Sequence, residues 1–351
     1  VGVAETDSMA RICLYLEAAE AIERSGFRKA FDRQVRALGL NGIEVTTDPS
    51  DRPYDLLHLH AFGPKSLYWL KGAQRHGIPV VVHAHSVGAY DFRDSFTLSN
   101  ALAPLYERYV RFVYNRADAV FTPTLFAKRE LERVGVRRPI AIVSNGVDRE
   151  RFMATDAERD RQRRNWGGDA FTAFCAGNVI PRKGVRDFLA TAEQLPEVAF
   201  RWFGHRWSRA AAYWPDMETW LDRVPGNVEF PGYVRDTPGA FAAADVCFFP
   251  SKSETQGLVL LEAASLGKPL VVRDLEVYRD WLVHGENCLK GRNPAEFAGH
   301  IDALARDADL YERLAQAAES LAEAHRIEHV GAHLCRLYDE ISTSEAREAV
   351  P

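Results

Sequence analysis

The chain predicts an α/β fold made of two doubly wound, Rossmann-like halves. Three observations carry this. Strand-like and helix-like segments alternate along the whole length. The 351 residues exceed the ~150 typical of a single core. Between Asp148 and Asp169 the pattern breaks into an Arg-dense run that ends in Trp166-Gly167-Gly168, after which a second alternating series begins.

In the first half the spacing predicts strands over 11–16, 42–46, 56–60, 79–83, 119–122 and 140–143. A helix-like stretch covers 17–24, and a helix over 102–113 repeats apolar residues at Leu102, Leu105, Tyr106, Tyr109, Val110 and Val113. The second series predicts strands over 171–176, 199–203, 227–230, 246–249 and 269–272. Closing helices follow over 294–307, 309–323 and 327–341. The expected organisation is a first domain over 9–150, a crossing over 151–168 and a second domain over 169–326, with helix 327–341 available to complete the first. Residues 342–351 read as a frayed tail. Ligands of such sheets bind beyond the carboxyl ends of the strands. Two domains facing each other there would enclose a cleft.

Composition excludes several function classes. Hydrophobic residues at 46% and charged residues at 26% are ordinary for a globular protein, and a net charge of −5 gives no bias toward nucleic acid. Charge is uneven: residues 1–150 hold 20 Lys+Arg against 18 Asp+Glu, and the remainder 24 against 31. A more basic first half suits an anionic surface; chance asymmetry explains it as well. Five scattered cysteines without a C-x-x-C argue against a zinc or redox pair and suit a reducing cytoplasm. No apolar run approaches the ~18 residues of a membrane span. No basic-then-apolar leader precedes Met9, which reads as the natural start.

The strongest chemical signal is Ser253-Glu254-Thr255-Gln256-Gly257-Leu258 followed by a helical pattern containing Glu262. A helix start offers unpaired N–H groups and partial positive charge to a phosphate, and Gly257 removes a side chain where a ligand would approach. A lone acid here reads as a cap; the whole phrase reads as a ligand site. Eight residues of helix span ~12 Å, beyond the roughly 5–9.5 Å of a glycosidase carboxylate pair. Glu254 and Glu262 therefore read as clamps on different parts of an elongated ligand, for which a sugar diphosphate nucleoside has the right length. A second signal, Gly177-Asn178-Val179-Ile180-Pro181-Arg182-Lys183-Gly184, is a turn that delivers a fork donor and a point charge suited to a diphosphate.

These two phrases, with Gly267-Lys268-Pro269 and His284-Gly285-Glu286-Asn287, resemble the retaining GT-B glycosyltransferases that include phosphatidylinositol mannosyltransferases and sucrose synthases. The resemblance implies that Glu262 holds the ribose hydroxyls, Glu254 the donor-sugar hydroxyls and Lys183 the diphosphate. It places the backbone of Thr255, Gln256, Gly257 and Leu258 on sugar and phosphate, and Tyr233 near the base. The family usually has Arg where Asn178 stands, and Arg182 is the candidate replacement. His85, after the strand 79–83, matches a histidine beside the donor sugar. Gly26, Arg28 and Lys29, read as a turn after the first helix-like stretch, border the acceptor by the same resemblance. His58, His60, His83 and His85 raise a metal site, but no carboxylate or cysteine cluster completes one, so no metal or other cofactor is expected.

Narrower phrases resemble the diacylglycerol glucosyltransferases: His83-Ala84-His85-Ser86, the run from Asp91 to Phe96, and Ser144-Asn145-Gly146-Val147-Asp148. They imply hexose transfer, with glucose from a UDP-sugar the expected donor, to a membrane lipid such as diacylglycerol or an archaeol-type lipid. The expected location is peripheral, on the inner face of the cell membrane. Lys65, Lys71 and Arg75 around Tyr68, Trp69 and Leu70 suit an anionic headgroup layer. The alternatives are a soluble or polyprenyl-linked saccharide acceptor, a non-catalytic sugar-nucleotide-binding module, and an epimerase sharing the fold.

Overall fold

The computed structural model describes residues 11–20, 25–206, 220–234 and 236–343. Met9, residues 21–24 of the expected first helical stretch and residues 344–351 of the expected frayed tail fall outside them. In chain order the elements are β1 (Arg11–Tyr15), α1 (Gly26–Leu40), β2 (Glu44–Thr46), β3 (Leu56–Leu59), α2 (Pro64–Arg75), β4 (Val80–His83), α3 (Ala89–Phe92), α4 (Ser99–Tyr114), β5 (Ala119–Thr122), α5 (Leu125–Arg133) and β6 (Ile140–Ile142). There follow α6 (Asp156–Asn165), β7 (Thr172–Ala176), α7 (Val185–Ala192), β8 (Ala199–Phe203), β9 (Val228–Gly232), α8 (Thr237–Ala243), β10 (Val246–Phe249), α9 (Leu258–Ser265), β11 (Leu270–Arg273), β12 (Leu289–Gly291), α10 (Pro294–Arg306), α11 (Ala308–Ala324) and α12 (Ile327–Ser342).

The chain divides into two compact units. One takes the described residues of Val1–Gly88, Glu107–Gly146 and Arg326–Pro351; the other takes Ala89–Tyr106 and Val147–His325. Residues 89–106 thus group with the second unit, although in sequence they lie inside the 9–150 span expected for the first.

The first unit holds a parallel six-stranded sheet in the order β2-β1-β3-β4-β5-β6. Its central strands, such as Val80-Val81-Val82-His83, are buried along their whole length. Strands covered on both faces read as continuous apolar runs rather than alternating ones. Ile12, Leu14, Phe31, Leu56, Val81, Phe121, Leu334 and Tyr338 form its core. The core draws in α12, whose entry is tied to α1 by Asn41, which donates to the Ala37 and Glu328 carbonyls at 2.8 and 3.1 Å.

Two local expectations in this unit are corrected. Residues 25–29 are not a turn but the start of α1, because the Ser25 hydroxyl accepts from the Arg28 N–H at 3.2 Å and caps it. Residues 17–20 form a turn rather than helix. There Glu17 accepts from the Lys65 and Ser66 N–H groups at 3.2 and 2.9 Å and from the Ser66 hydroxyl at 2.9 Å. It caps α2 from a distance, where Gly63 has no side chain to do so.

The second unit holds a parallel sheet in the order β12-β11-β10-β7-β8-β9, with a register shift between Arg201 and Phe203 against β9. A cluster of Phe174, Phe188, Phe200, Trp202, Phe241 and Phe248 fills it. The edge strand β12 and helix α8 carry too few residues for the pattern to have announced them.

Candidate functional site

In the second unit both sequence signals sit just after parallel strands. Residues Gly177 to Ile180 leave β7, Pro181–Lys183 form one turn of 3₁₀-helix, and Gly184 opens α7. Gly184 has φ +82°, and a Cβ there would meet the Pro250 carbonyl oxygen at 2.2 Å. Glycine alone lets this turn close on the strand that leads to Glu254.

That approach makes a buried ion pair. Lys183 Nζ donates to Glu254 Oε1 at 2.5 Å, with side chains 16% and 8% exposed. The Ser251 hydroxyl donates to the same oxygen at 2.6 Å. Lys183 also lies 5.3 Å from the Phe249 ring centre. Burial would raise the Glu254 carboxyl, but the charges of Lys183 and Arg182 and the bonds from Lys183 and Ser251 outweigh it and hold the carboxyl below its usual range. Burial pushes the Lys183 ammonium down, with Glu254 opposing the shift. The carboxylate form of Glu254 is thus favoured by its partners, and the charge of Glu254 favours the ammonium of Lys183 against its burial.

Arg182 is committed to structure. Its Nε donates to the Ser95 hydroxyl and its Nη1 to the Ser253 carbonyl, both at 2.9 Å. Its own N–H donates to the Asp94 carbonyl at 3.2 Å. It therefore staples residues 94–95 to the 181–183 turn and the 253–254 loop. Asn178 is half-buried, and its carbonyl accepts from Ile180 N–H at 3.0 Å.

Helix α9 begins after Gly257, which has φ +91°, and no side chain caps it. The Leu260 N–H is taken by the Gly257 carbonyl at 3.0 Å, and the helix dipole favours an anionic ligand at this start. Gln256 and Glu262 are buried, Thr255 and Leu258 half-buried, and Tyr233 exposed beyond β9. The structure thus gathers Lys183, Arg182 and Glu254 beyond the ends of the neighbouring strands β7 and β10, and α9 starts from the same loop as Glu254. Sequence reasoning missed Ser251 and Ser95. Ser251 stands three residues before Glu254, a spacing that could have pointed to it; Ser95 lies in the run from Asp91 to Phe96, but at 87 positions from Arg182 nothing marked it as that residue's partner.

In the first unit, Gly26 is exposed at the start of α1, and Arg28 pairs with Asp32 one turn on at 2.8 Å. Lys29 is half-buried beside them. Phe27, from the same turn, stacks on His85 with centroids 4.9 Å apart. His58, His60 and His83 are fully buried and His85 nearly so. Burial keeps all four neutral, pushing His58 and His85 down to about 3 and His60 and His83 well below their usual range.

Nitrogens of His58, His60 and His83 lie within 4.8 Å of one another, a spacing from which a metal site can be assembled. Two features oppose it. The His60 and His83 rings are stacked at 7°, so their lone pairs run side by side instead of converging. The group also contains no carboxylate or thiolate to offset a buried dication.

Two parallel α/β sheets, one with a buried Lys–Glu pair beside an uncapped helix start, define the GT-B class. Comparison with known proteins supports this. Residues 170–307 match the family model "Glycosyl transferases group 1" and residues 28–151 match "Glycosyltransferase Family 4". The chain is 34% identical over 339 residues to the processive diacylglycerol alpha-glucosyltransferase of Acholeplasma laidlawii, covering 94% of this chain and 98% of that one. It is 26% identical to the alpha-galactosylglucosyldiacylglycerol synthase of Streptococcus pneumoniae, over 79% of this chain and 76% of the relative. Among solved structures, Anabaena HepE with UDP and glucose superposes with a TM-score of 0.78 at 18% identity, over 94% of this chain and all of that one. Sucrose-phosphate synthase from Thermosynechococcus elongatus gives 0.79 at 17%, over 96% of this chain and all of that one. The chain belongs to the GT-B glycosyltransferase family that holds the diacylglycerol glucosyltransferases.

Proposed function

We propose that this enzyme moves a hexose, glucose from UDP-glucose, to a hydroxyl of a membrane lipid of the diacylglycerol or archaeol type, with retention of anomeric configuration. The observation that carries the reading is the buried Lys183–Glu254 pair beside the uncapped start of α9. Supporting it are the glycolipid-synthase relatives and the HepE complex with UDP and glucose, whose fold this chain shares.

In this reading the diphosphate lies against the α9 N–H groups and Lys183, Glu254 turns to the sugar hydroxyls, and Glu262 holds the ribose. Thr255, Gln256, Gly257 and Leu258 line the sugar and phosphate, and Tyr233 and Asn178 flank the nucleotide. The acceptor oxygen bonds to the anomeric carbon as the bond from that carbon to the phosphate oxygen breaks. The acceptor proton passes to the leaving phosphate on the same face. Preorganised positive charge at the leaving oxygen supplies the main stabilisation. The charge is met by Lys183, Arg182 and the helix start, so no obligatory metal is assigned. His85, Gly26, Arg28 and Lys29 form the acceptor side.

No helix among the described residues is long and apolar enough to cross a membrane. Peripheral contact with the anionic inner face is supported by exposed Lys65, Lys71 and Arg75 on α2 with Tyr68, 69% exposed. Leu70 plays no part in it, being buried in the core. Leu102 and Leu105 on α4, 47% and 66% exposed, add apolar surface. The test is a panel of nucleoside-diphosphate hexoses with diacylglycerol vesicles, read by mass spectrometry of the lipid. Glycosylated diacylglycerol supports the proposal. Transfer only to soluble saccharides, or none from any donor, contradicts it.

A further inference from the structure

Arg273 is the last residue of β11, and its guanidinium is shared among three chain segments of the second unit. Nε donates to the Pro250 carbonyl at 3.1 Å, Nη1 to the Arg292 carbonyl at 2.9 Å, and Nη2 to the Asp187 carboxylate on α7. The Arg273 and Asp187 side chains are 15% and 19% exposed, so water competes little for these bonds. A planar fork offers donors in several directions at once, whereas a lysine brings one point charge on a flexible stem.

Two of the three partners flank the Lys183–Glu254 pair. Pro250 follows the last residue of β10, and the pairing of β10 with β11 ends at Phe249 and Val272. Beyond that point the Arg273 side chain takes over from the strand ladder in holding Pro250. The Pro250 carbonyl is also the group that Gly184 approaches too closely for any Cβ, so a shift of one displaces the other. Lys183 directly precedes Gly184, and Asp187 lies in the first turn of α7 behind it. On the other side Ser251 follows Pro250, and its hydroxyl donates to Glu254 Oε1, the oxygen that Lys183 also reaches. One guanidinium therefore fixes the Lys183 segment through Asp187 and Pro250, and the Glu254 segment through Pro250. Its donors go to neither member of the pair, so it acts through the two loops.

We propose that Arg273 is a positioning residue of the donor site, which sets the spacing of the Lys183 turn and the Pro250–Glu254 loop and thereby the affinity for a nucleoside diphosphate. The inference rests on the proposed function for the identity of that ligand. The coupling of Arg273 to the ion pair does not depend on it.

The test measures UDP binding to the full chain by titration calorimetry, with the Tm of each variant alongside. Arg273→Met keeps the bulk of the stem without a donor and is expected to weaken UDP about tenfold, the scale of one lost charge-assisted contact. Arg273→Lys should lose at least about threefold, because one ammonium cannot serve three acceptors. In a Lys183→Ala background, Arg273→Met should weaken UDP by no more than about twofold, since the group it positions is gone. An equal loss in both backgrounds, or a lowered Tm with unchanged UDP affinity, means a merely structural role and overturns the proposal. Should Arg273→Met not fold, Arg273→Lys carries the same comparison. If the wild-type chain binds no UDP, the proposed function fails instead, and the Tm values decide this inference. The Tm loss from Arg273→Met is then expected to be at least about 2 °C smaller in Lys183→Ala than in wild type; equal losses overturn the coupling.

Discussion

Replacing Lys183 by alanine strips the Glu254 carboxylate of its nearest cation while leaving it 8% exposed. Breaking a buried pair from one side costs about 3–5 kcal/mol, because the remaining charge is left desolvated. Two groups soften the loss here: the Ser251 hydroxyl still donates to Glu254 at 2.6 Å, and the charge of Arg182 still favours the carboxylate. A cost of about 2–3 kcal/mol follows, roughly 4–12 °C in Tm at about 2–4 °C per kcal/mol for a unit of this size. Adding Glu254→Gln removes the stranded charge, so the double variant is expected to melt above Lys183→Ala alone. Transfer should fall at least ~10²-fold in each single variant, the scale of a lost transition-state contact. Calorimetry and a turnover assay on the single and double variants test this. A double variant that melts lower than Lys183→Ala, or near-normal transfer by Lys183→Ala, refutes the reasoning.

Three further outcomes are expected. The Glu254 carboxyl is depressed in the folded chain. Its stabilising contribution is therefore complete above the unfolded value of about 4.3 and is lost as pH falls through the lower folded value. Tm-against-pH curves of wild type and Glu254→Gln should converge only below about pH 4. Leu102→Glu combined with Leu105→Glu should reduce sedimentation with anionic vesicles at least about fivefold, with Tm within about 2 °C because both side chains are exposed; unchanged sedimentation removes α4 from the membrane reading. Transfer should persist in excess EDTA, and loss of activity restored by Mg²⁺ or Mn²⁺ would show that the diphosphate charge is met by a metal.

What the sequence disclosed depended on how local each signal was. The central strands were legible because burial on both faces leaves apolar runs such as 80–82 and 246–249. The donor loop was legible because Glu254, Gly257 and Glu262 fall within nine consecutive residues. The capping role of Ser25 was visible in principle, since a serine before a helical pattern is an N-terminal signal, but the two cations that follow it suggested a loop. Nonlocal partners left no trace: Glu17 capping α2, Arg182 held by Ser95, and His60 bonded to His85 across neighbouring strands. Residues 89–106 carry no compositional mark that groups them with the second unit. The backbone bond from Arg182 N–H to the Asp94 carbonyl is part of what places them there.

The central claim, hexose transfer to a lipid hydroxyl with retention, is tested most directly by the anomeric configuration of the product. The purified chain would be incubated with UDP-glucose and diacylglycerol vesicles, and the glycolipid examined by ¹H NMR at the anomeric proton. An α-linked glucosyl lipid, matching the α-linked donor, is the result this account predicts. A β-linked product, or UDP release with no sugar on the lipid, would contradict it.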